Sequence, residues 1–61
     1  MGPKFEIGAA VRDSAQRLVW TIEDRIVDGE HVRYLCSRAK RAVLKVYLEP
    51  DLAPARLARA A

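Results

Sequence analysis

The fold is decided by residues 18–36, which read LVWTIEDRIVDGEHVRYLC. Leu18, Trp20 and Ile22 share one parity, so a β-strand would place their side chains on one face. We assign Trp20 and Ile22 to the core, because a buried tryptophan removes about 200 Å² of surface from water. The alternation breaks over residues 23–27, which predicts a β-bulge or a local twist in this long strand.

A tight-turn signal follows this strand. Both residues of Asp28-Gly29 tolerate the positive φ that two-residue hairpin turns require, so the dipeptide predicts a hairpin. Beyond it, residues 31–36 alternate again, with Val32, Tyr34 and Cys36 on one face. Strand-like runs also occur before this hairpin, at residues 5–12, and after it, at residues 42–48. Several short strands at this spacing in so small a chain are typical of a small barrel.

The chain has 61 residues, which is the length of a single domain. We predict an all-β fold, a small five-stranded SH3-like barrel with a short C-terminal tail. Residues 1–4 form a leader, residues 5–52 the barrel and residues 53–61 the tail. Pro54 can be the first residue of a helix, so the tail is either a short helix or frayed.

Composition excludes most ways of reinforcing so small a domain. With one cysteine and one histidine the chain has neither an internal disulfide nor a structural zinc site, and we predict no cofactor. Very good packing or oligomerisation must supply the missing stability. No apolar run is long enough to span a membrane, and the N-terminus has no secretory h-region. A single thiol fits a reducing compartment, so we predict a cytoplasmic protein.

No catalytic motif stands out. Glu23 and Asp24 are neighbours on a strand and so point to opposite faces. His31 directly follows the hairpin turn; it is either an exposed strand-start residue, which we favour, or a ligand or proton handle. Cys36 is either a small core residue, which we favour, or a reactive thiol activated by the basic loop after it. We therefore predict no catalytic residue and no metal site.

An apolar surface is the more informative feature. We expect Leu44, Val46 and Leu48 to face the core, which leaves Val43 and Tyr47 outside. Two residues of the preceding strands have the same outward parity, and together the four predict an interface of Val19, Leu35, Val43 and Tyr47. Monomers rarely leave such patches bare, so either the tail, through Leu57, or another subunit covers this one.

The formal net charge of +3 permits contact with nucleic acid. A basic loop, joined by two arginines from elsewhere, would neutralise phosphates and give salt-dependent binding. The residues of this alternative nucleic-acid site are Arg17, Arg33, Arg38, Lys40 and Arg41. Its aromatic partners are few, and only Tyr47 is expected to be free to stack on a base.

Four pieces of the sequence carry a family resemblance. They are Phe5-x-x-Gly8-x-x-Val11-Arg12, the strand around Trp20, the Asp28-Gly29 hairpin and Leu48-Glu49-Pro50-Asp51-Leu52. Through them residues 5–52 resemble small bacterial SH3-like barrels of Tudor or KOW-like topology. KOW modules carry more glycine near their first loop than residues 13–20 do. This difference argues against ribosomal or transcription-type RNA binding.

The first of these pieces is also similar to the plasmid-borne type II dihydrofolate reductases, short SH3-like barrels that form a tetramer around one pore. The family lines that pore with Val-Gln-Ile-Tyr, and the corresponding stretch here is Leu44-Lys45-Val46-Tyr47. Lys45 replaces the key glutamine, so the resemblance implies oligomeric architecture more than reductase chemistry. Our leading hypothesis is a non-enzymatic, self-associating protein-binding module. Nucleic-acid binding is the alternative, and a pore-type reductase is a distant third.

Overall fold

The structure, a computed structural model, describes residues 4–55. Its five strands are β1 (Ala10–Asp13), β2 (Val19–Asp28), β3 (His31–Arg38), β4 (Val43–Leu48) and β5 (Leu52–Pro54). A single 3₁₀ turn, Glu49–Asp51, joins β4 to β5. All pairings are antiparallel, and the strands form one sheet in the order β4-β3-β2-β1-β5. The predicted all-β, five-stranded fold is confirmed.

The hairpin of β2 and β3 dominates the sheet. Asp28 pairs with His31, so the predicted hairpin is present but its two-residue turn is Gly29-Glu30, one residue later than Asp28-Gly29, and only Gly29 of the predicted pair has a positive φ, +63°. The register shifts between Ile22 and Asp24, which confirms the predicted bulge. The buried residues of β2, Trp20 and Ile22, lie before this bulge, and residues 24–28 after it are exposed.

The first strand starts later than the sequence indicates. Phe5 is buried, but Ile7 is 57% exposed, and regular pairing begins only at Ala10. Gly8, at φ +93°, makes the bend between the two segments, and its backbone N–H donates to the carbonyl of Ile22 at 2.8 Å. The alternation of Phe5 and Ile7 therefore reflects a turn that inserts one aromatic ring into the core.

The C-terminal boundary also differs from the sequence expectation. Pro54 is the last residue of β5, where it lies opposite Val11, so it does not begin a helix. Residues 56–61, including Leu57, lie outside the described residues. Within residues 4–55 no helix is long and apolar enough to cross a membrane.

One face of the sheet, here called the core face, carries the buried side chains. The core consists of Phe5, Val11, Trp20, Ile22, Tyr34, Cys36, Tyr47 and Leu52. Two edge-to-face aromatic pairs, each with ring centroids 5.4 Å apart, join Phe5 to Tyr34 and Trp20 to Tyr47. Trp20 and Ile22 are 3% and 1% exposed, so they lie in the core as the sequence predicts.

The predicted orientation of β4 is wrong. Tyr47 is buried in the core, whereas Leu44, Val46 and Leu48 lie on the opposite face and are exposed. The cause is visible in the pairing, since Tyr47 lies opposite the fully buried Tyr34. The number of aliphatic residues favours the opposite orientation, with Leu44, Val46 and Leu48 in the core. The observed orientation is favoured because the Tyr47 ring buries more area and its hydroxyl also finds a hydrogen-bond partner.

Candidate interaction surface

The four residues predicted as an interface do not form one patch. The register of the sheet places Val19 and Leu35 on the face opposite the core, here called the outer face. Val43 shares the parity of Tyr47, and Tyr47 is buried. The predicted patch is therefore split between the two faces of the sheet, and Tyr47 is not part of any exposed surface.

A different apolar surface occupies β4. The β4 stripe, defined as Leu44, Val46 and Leu48, lies on the outer face with exposed fractions of 56%, 49% and 46%. Leu35 extends it, because it lies opposite Val46 on the same face and is half-buried. Ile26 reaches the same face through its pairing with Arg33, which lies opposite Leu48.

The backbone of β4 is unpaired along one side. β4 is a terminal strand of the sheet, and among residues 4–55 only β3 pairs with it. Such an edge presents a row of N–H and C=O groups that another strand can use. The stripe and the free edge together make β4 the part of the described chain best equipped to bind a protein.

Opposite charges mark the two ends of β4. The turn before it, Ala39–Ala42, contains Lys40 and Arg41. Arg41 contacts the Glu23 carboxylate through its Nε at 3.3 Å but remains 76% exposed. The 3₁₀ turn after β4 contains Glu49 and Asp51. β4 is therefore a short apolar segment with a basic turn at its N-terminal end and an acidic turn at its C-terminal end.

A buried carboxylate fixes the other face of β4. Asp13 accepts hydrogen bonds from the Trp20 indole N–H at 2.8 Å and from the Tyr47 hydroxyl at 3.3 Å. It also accepts hydrogen bonds from the backbone N–H groups of Gln16 and Arg17, and these bonds hold the loop between β1 and β2 in place. Burial alone would raise the Asp13 pKa, but these four donors outweigh it and lower the pKa to about 2.

A second polar contact holds the acidic end of β4. The Tyr34 hydroxyl donates to Glu49 at 2.6 Å and accepts the backbone N–H of Phe5 at 3.0 Å. The backbone N–H of Lys4 also donates to Glu49, at 2.8 Å. The hydrogen bonds from Tyr34 and Lys4 lower the Glu49 pKa. The contacts of Tyr47 and Glu49 thus anchor the C-terminal end of β4 to the core.

The five basic residues of the nucleic-acid alternative are not gathered on one face. Arg33 and Arg38 are both on β3, but their separation of five positions gives them opposite parity. The Arg38 guanidinium lies 5.4 Å from the Trp20 ring centroid, over the core face. Arg41 contacts Glu23, while Arg17 and Lys40 are exposed in separate loops.

The aromatic side chains offer no stacking platform for bases. Phe5, Trp20, Tyr34 and Tyr47 are the only aromatic residues of the chain, and each is at most 9% exposed. Tyr47, which the sequence predicts to be free to stack, is covered by the Lys45 ammonium 5.0 Å from its ring centroid. Sequence-tolerant binding of single strands depends on such rings being accessible.

The two residues with chemical alternatives have clear positions. Cys36 is fully buried, and burial raises the pKa of its thiol to about 11, which favours the core interpretation over the reactive thiol. His31 is exposed at the start of β3. It borders a depression of about 280 Å³ that is also lined by Glu30, Val32, Leu48, Glu49 and Pro50. Residues 4–55 contain no group of three or more potential metal ligands.

Sequence reasoning missed two sets of residues. The first is Asp13, which is central to the core face. Its position could have been found from the sequence, because an aspartate at the end of a strand can accept hydrogen bonds from the backbone N–H groups of the loop that follows. The second is the β4 stripe, whose apolar character is evident in the sequence but which the prediction assigns to the wrong face.

Comparisons of the chain with protein-family models, with curated proteins and with solved structures found no match.

Proposed function

We propose that this protein is a non-enzymatic binding module that associates with a second copy of itself through β4. The observation that carries the proposal is the β4 stripe, three aliphatic side chains each about half exposed on an edge strand. Monomeric proteins seldom leave an apolar edge uncovered, because unpaired edges promote association. A 61-residue chain that lacks a disulfide also gains stability from a partner.

The strand order and the 3₁₀ turn before the last strand support the likeness to SH3-like barrels inferred from the sequence. The single buried thiol supports a cytoplasmic location. The nucleic-acid alternative ranks lower because every aromatic ring is buried and the basic residues are dispersed. The reductase alternative also ranks lower, since Tyr47 is turned into the core and Lys45 stands at the position of the family's glutamine.

Solution mass tests this proposal directly. Light scattering over about a hundredfold range of concentration should show a monomer that converts to a dimer. Val46→Asp should abolish the dimer, because it removes an apolar contact and places a negative charge at the β4 contact of both copies. The matched control is Val27→Asp. It introduces the same charge at an exposed valine of β2, and the dimer should survive it.

Two outcomes would contradict the proposal. One is a monomeric mass for the parent protein at every concentration. The other is a dimer that Val46→Asp leaves unchanged, which would place the contact on another surface. Removing residues 56–61 tests the tail as the alternative cover. If copies meet through β4 the dimer persists, whereas a covering tail predicts a monomeric parent that associates only after the deletion.

A further inference from the structure

We propose that the two copies pair β4 against β4 in antiparallel orientation, in the register that places Val46 opposite Val46 of the second copy. This inference rests on the proposed self-association and specifies its geometry. The two sheets would join edge to edge into one ten-stranded sheet. The outer face and the core face of β4 favour this register, and the charges at the ends of β4 favour the antiparallel orientation.

Around Val46, all three side chains of the β4 stripe lie opposite a member of the stripe in the second copy. In this register Leu44 lies opposite Leu48 of the second copy, and Leu48 opposite its Leu44. The two β4 stripes then merge into one continuous apolar surface, in which each side chain has an apolar neighbour across the junction. Directly opposed side chains on one face of an antiparallel pair are the contacts that stabilise a sheet.

The core-face side of β4 favours the same register. Lys45 would lie opposite Tyr47 of the second copy, so the lysines of the two copies do not face each other. Shifting the axis by one residue, onto Lys45, would set two lysines directly opposite each other, and like charges at that position are destabilising. Registers centred between two residues would join the outer face of one copy to the core face of the other.

Charge decides between antiparallel and parallel pairing. Antiparallel pairing brings the basic turn of one copy, with Lys40 and Arg41, beside the acidic 3₁₀ turn of the other, with Glu49 and Asp51. This happens twice, once at each end of the junction. Parallel pairing would bring basic beside basic and acidic beside acidic. In this register five β4 residues of each copy, 44–48, pair with each other, which is at the small end of protein interfaces, so we expect a reversible dimer.

Single cysteines on β4 test the register. Opposed residues in an antiparallel pair have Cα atoms about 4.5–5.5 Å apart, which is within the range of a disulfide. Under mild oxidation with copper phenanthroline, Val46→Cys should form a disulfide-linked dimer. Leu44→Cys and Leu48→Cys should each remain uncrosslinked alone and should crosslink when mixed with one another. The parent protein is the control, since its Cys36 is buried and should not react.

Amide hydrogen exchange separates edge pairing from stacking of the two outer faces. Edge pairing should protect additional amides of residues 43–48 when the protein concentration rises, whereas face stacking leaves the edge amides exchanging as in the monomer. Efficient crosslinking of Leu44→Cys or of Leu48→Cys alone, or no added protection in β4, would overturn the register while a dimeric mass upheld self-association. A monomeric mass throughout would overturn both.

Discussion

Tyr47 and Val46 are adjacent on β4, yet they belong to opposite halves of the molecule. Tyr47 packs on Trp20 and donates to Asp13, within a core whose polar atoms have partners. Val46 lies on the outer face, half exposed, at an edge with no further strand among residues 4–55. Because side chains alternate along a strand, the core-face residues of β4 stabilise the fold and its outer-face residues remain free for contact.

We expect the largest loss of stability when an aromatic ring is removed from the core face. Trp20→Ala should destabilise the protein by about 3–5 kcal/mol, since it empties a packed site and removes one donor to Asp13. That loss is a large part of the stability of a domain this small. Chemical denaturation measures it, and Leu44→Ala on the outer face is the control with a small expected effect. A Trp20→Ala protein as stable as this control would contradict the core assignment.

Acid should act through the core face as well. Asp13 has a pKa of about 2, below its usual 3.8, so its charged form stabilises the fold at neutral pH. This contribution is complete above about pH 5 and is lost as the pH falls towards 2. Asp13→Asn should lower the denaturation midpoint at neutral pH and flatten its pH dependence in this range.

Glu49 provides the control for the acid experiment, because its pKa is also lowered and its contribution has the same sign. Glu49→Gln should keep the part of the pH dependence that belongs to Asp13. If Asp13→Asn titrates like the parent protein between about pH 5 and pH 2, the buried hydrogen-bond network does not hold the charge.

Two small substitutions at adjacent positions of β4 compare how much its core face and its outer face contribute to stability. Tyr47→Phe removes only the hydroxyl that donates to Asp13 and should cost about 0.5–1.5 kcal/mol of unfolding free energy. Val46→Thr makes a change of similar size one residue away and should leave monomer stability within about 0.5 kcal/mol. Denaturation below the dimerisation range measures both. Equal losses for the two variants would mean that the two faces are not functionally separate.

The smallest expected effect lies at the ends of β4. Arg41→Glu and Asp51→Lys should each weaken the dimer, and the double variant should restore it, because each exposed ion pair contributes about 0.2–1 kcal/mol. Dissociation constants at low and high salt measure the effect, which added salt should diminish. Single variants that bind as tightly as the parent protein would remove charge as a determinant of orientation.

Local signals in the sequence are sufficient for the hairpin, the bulge and the burial of Trp20. They are sufficient because alternation and the Asp28-Gly29 turn act over neighbouring residues. The face of β4 was not predictable in this way. It depends on a hydrogen bond between Tyr47 and Asp13, which are 34 residues apart.

The β3–β4 turn shows the same limit. Ala39, Lys40 and Arg41 all adopt positive φ, yet none is glycine, asparagine or aspartate, the residues that usually signal this conformation. The short turn is imposed by the strands on either side, whose pairing continues to Arg38 and Val43. A conformation that tertiary pairing enforces leaves no mark in the local sequence.

The length of β5 has a consequence for how far assembly can proceed. A sheet that pairs with a second copy through one edge strand still exposes its other edge strand. If both edge strands could pair with further copies, the sheets would form an open-ended fibre. Here the second edge is a strand of three residues that ends in Pro54, which has no N–H to donate. A dimer through β4 pairs both β4 edges and leaves only the two short β5 edges unpaired, so edge-to-edge growth of the described part of the chain stops at two copies.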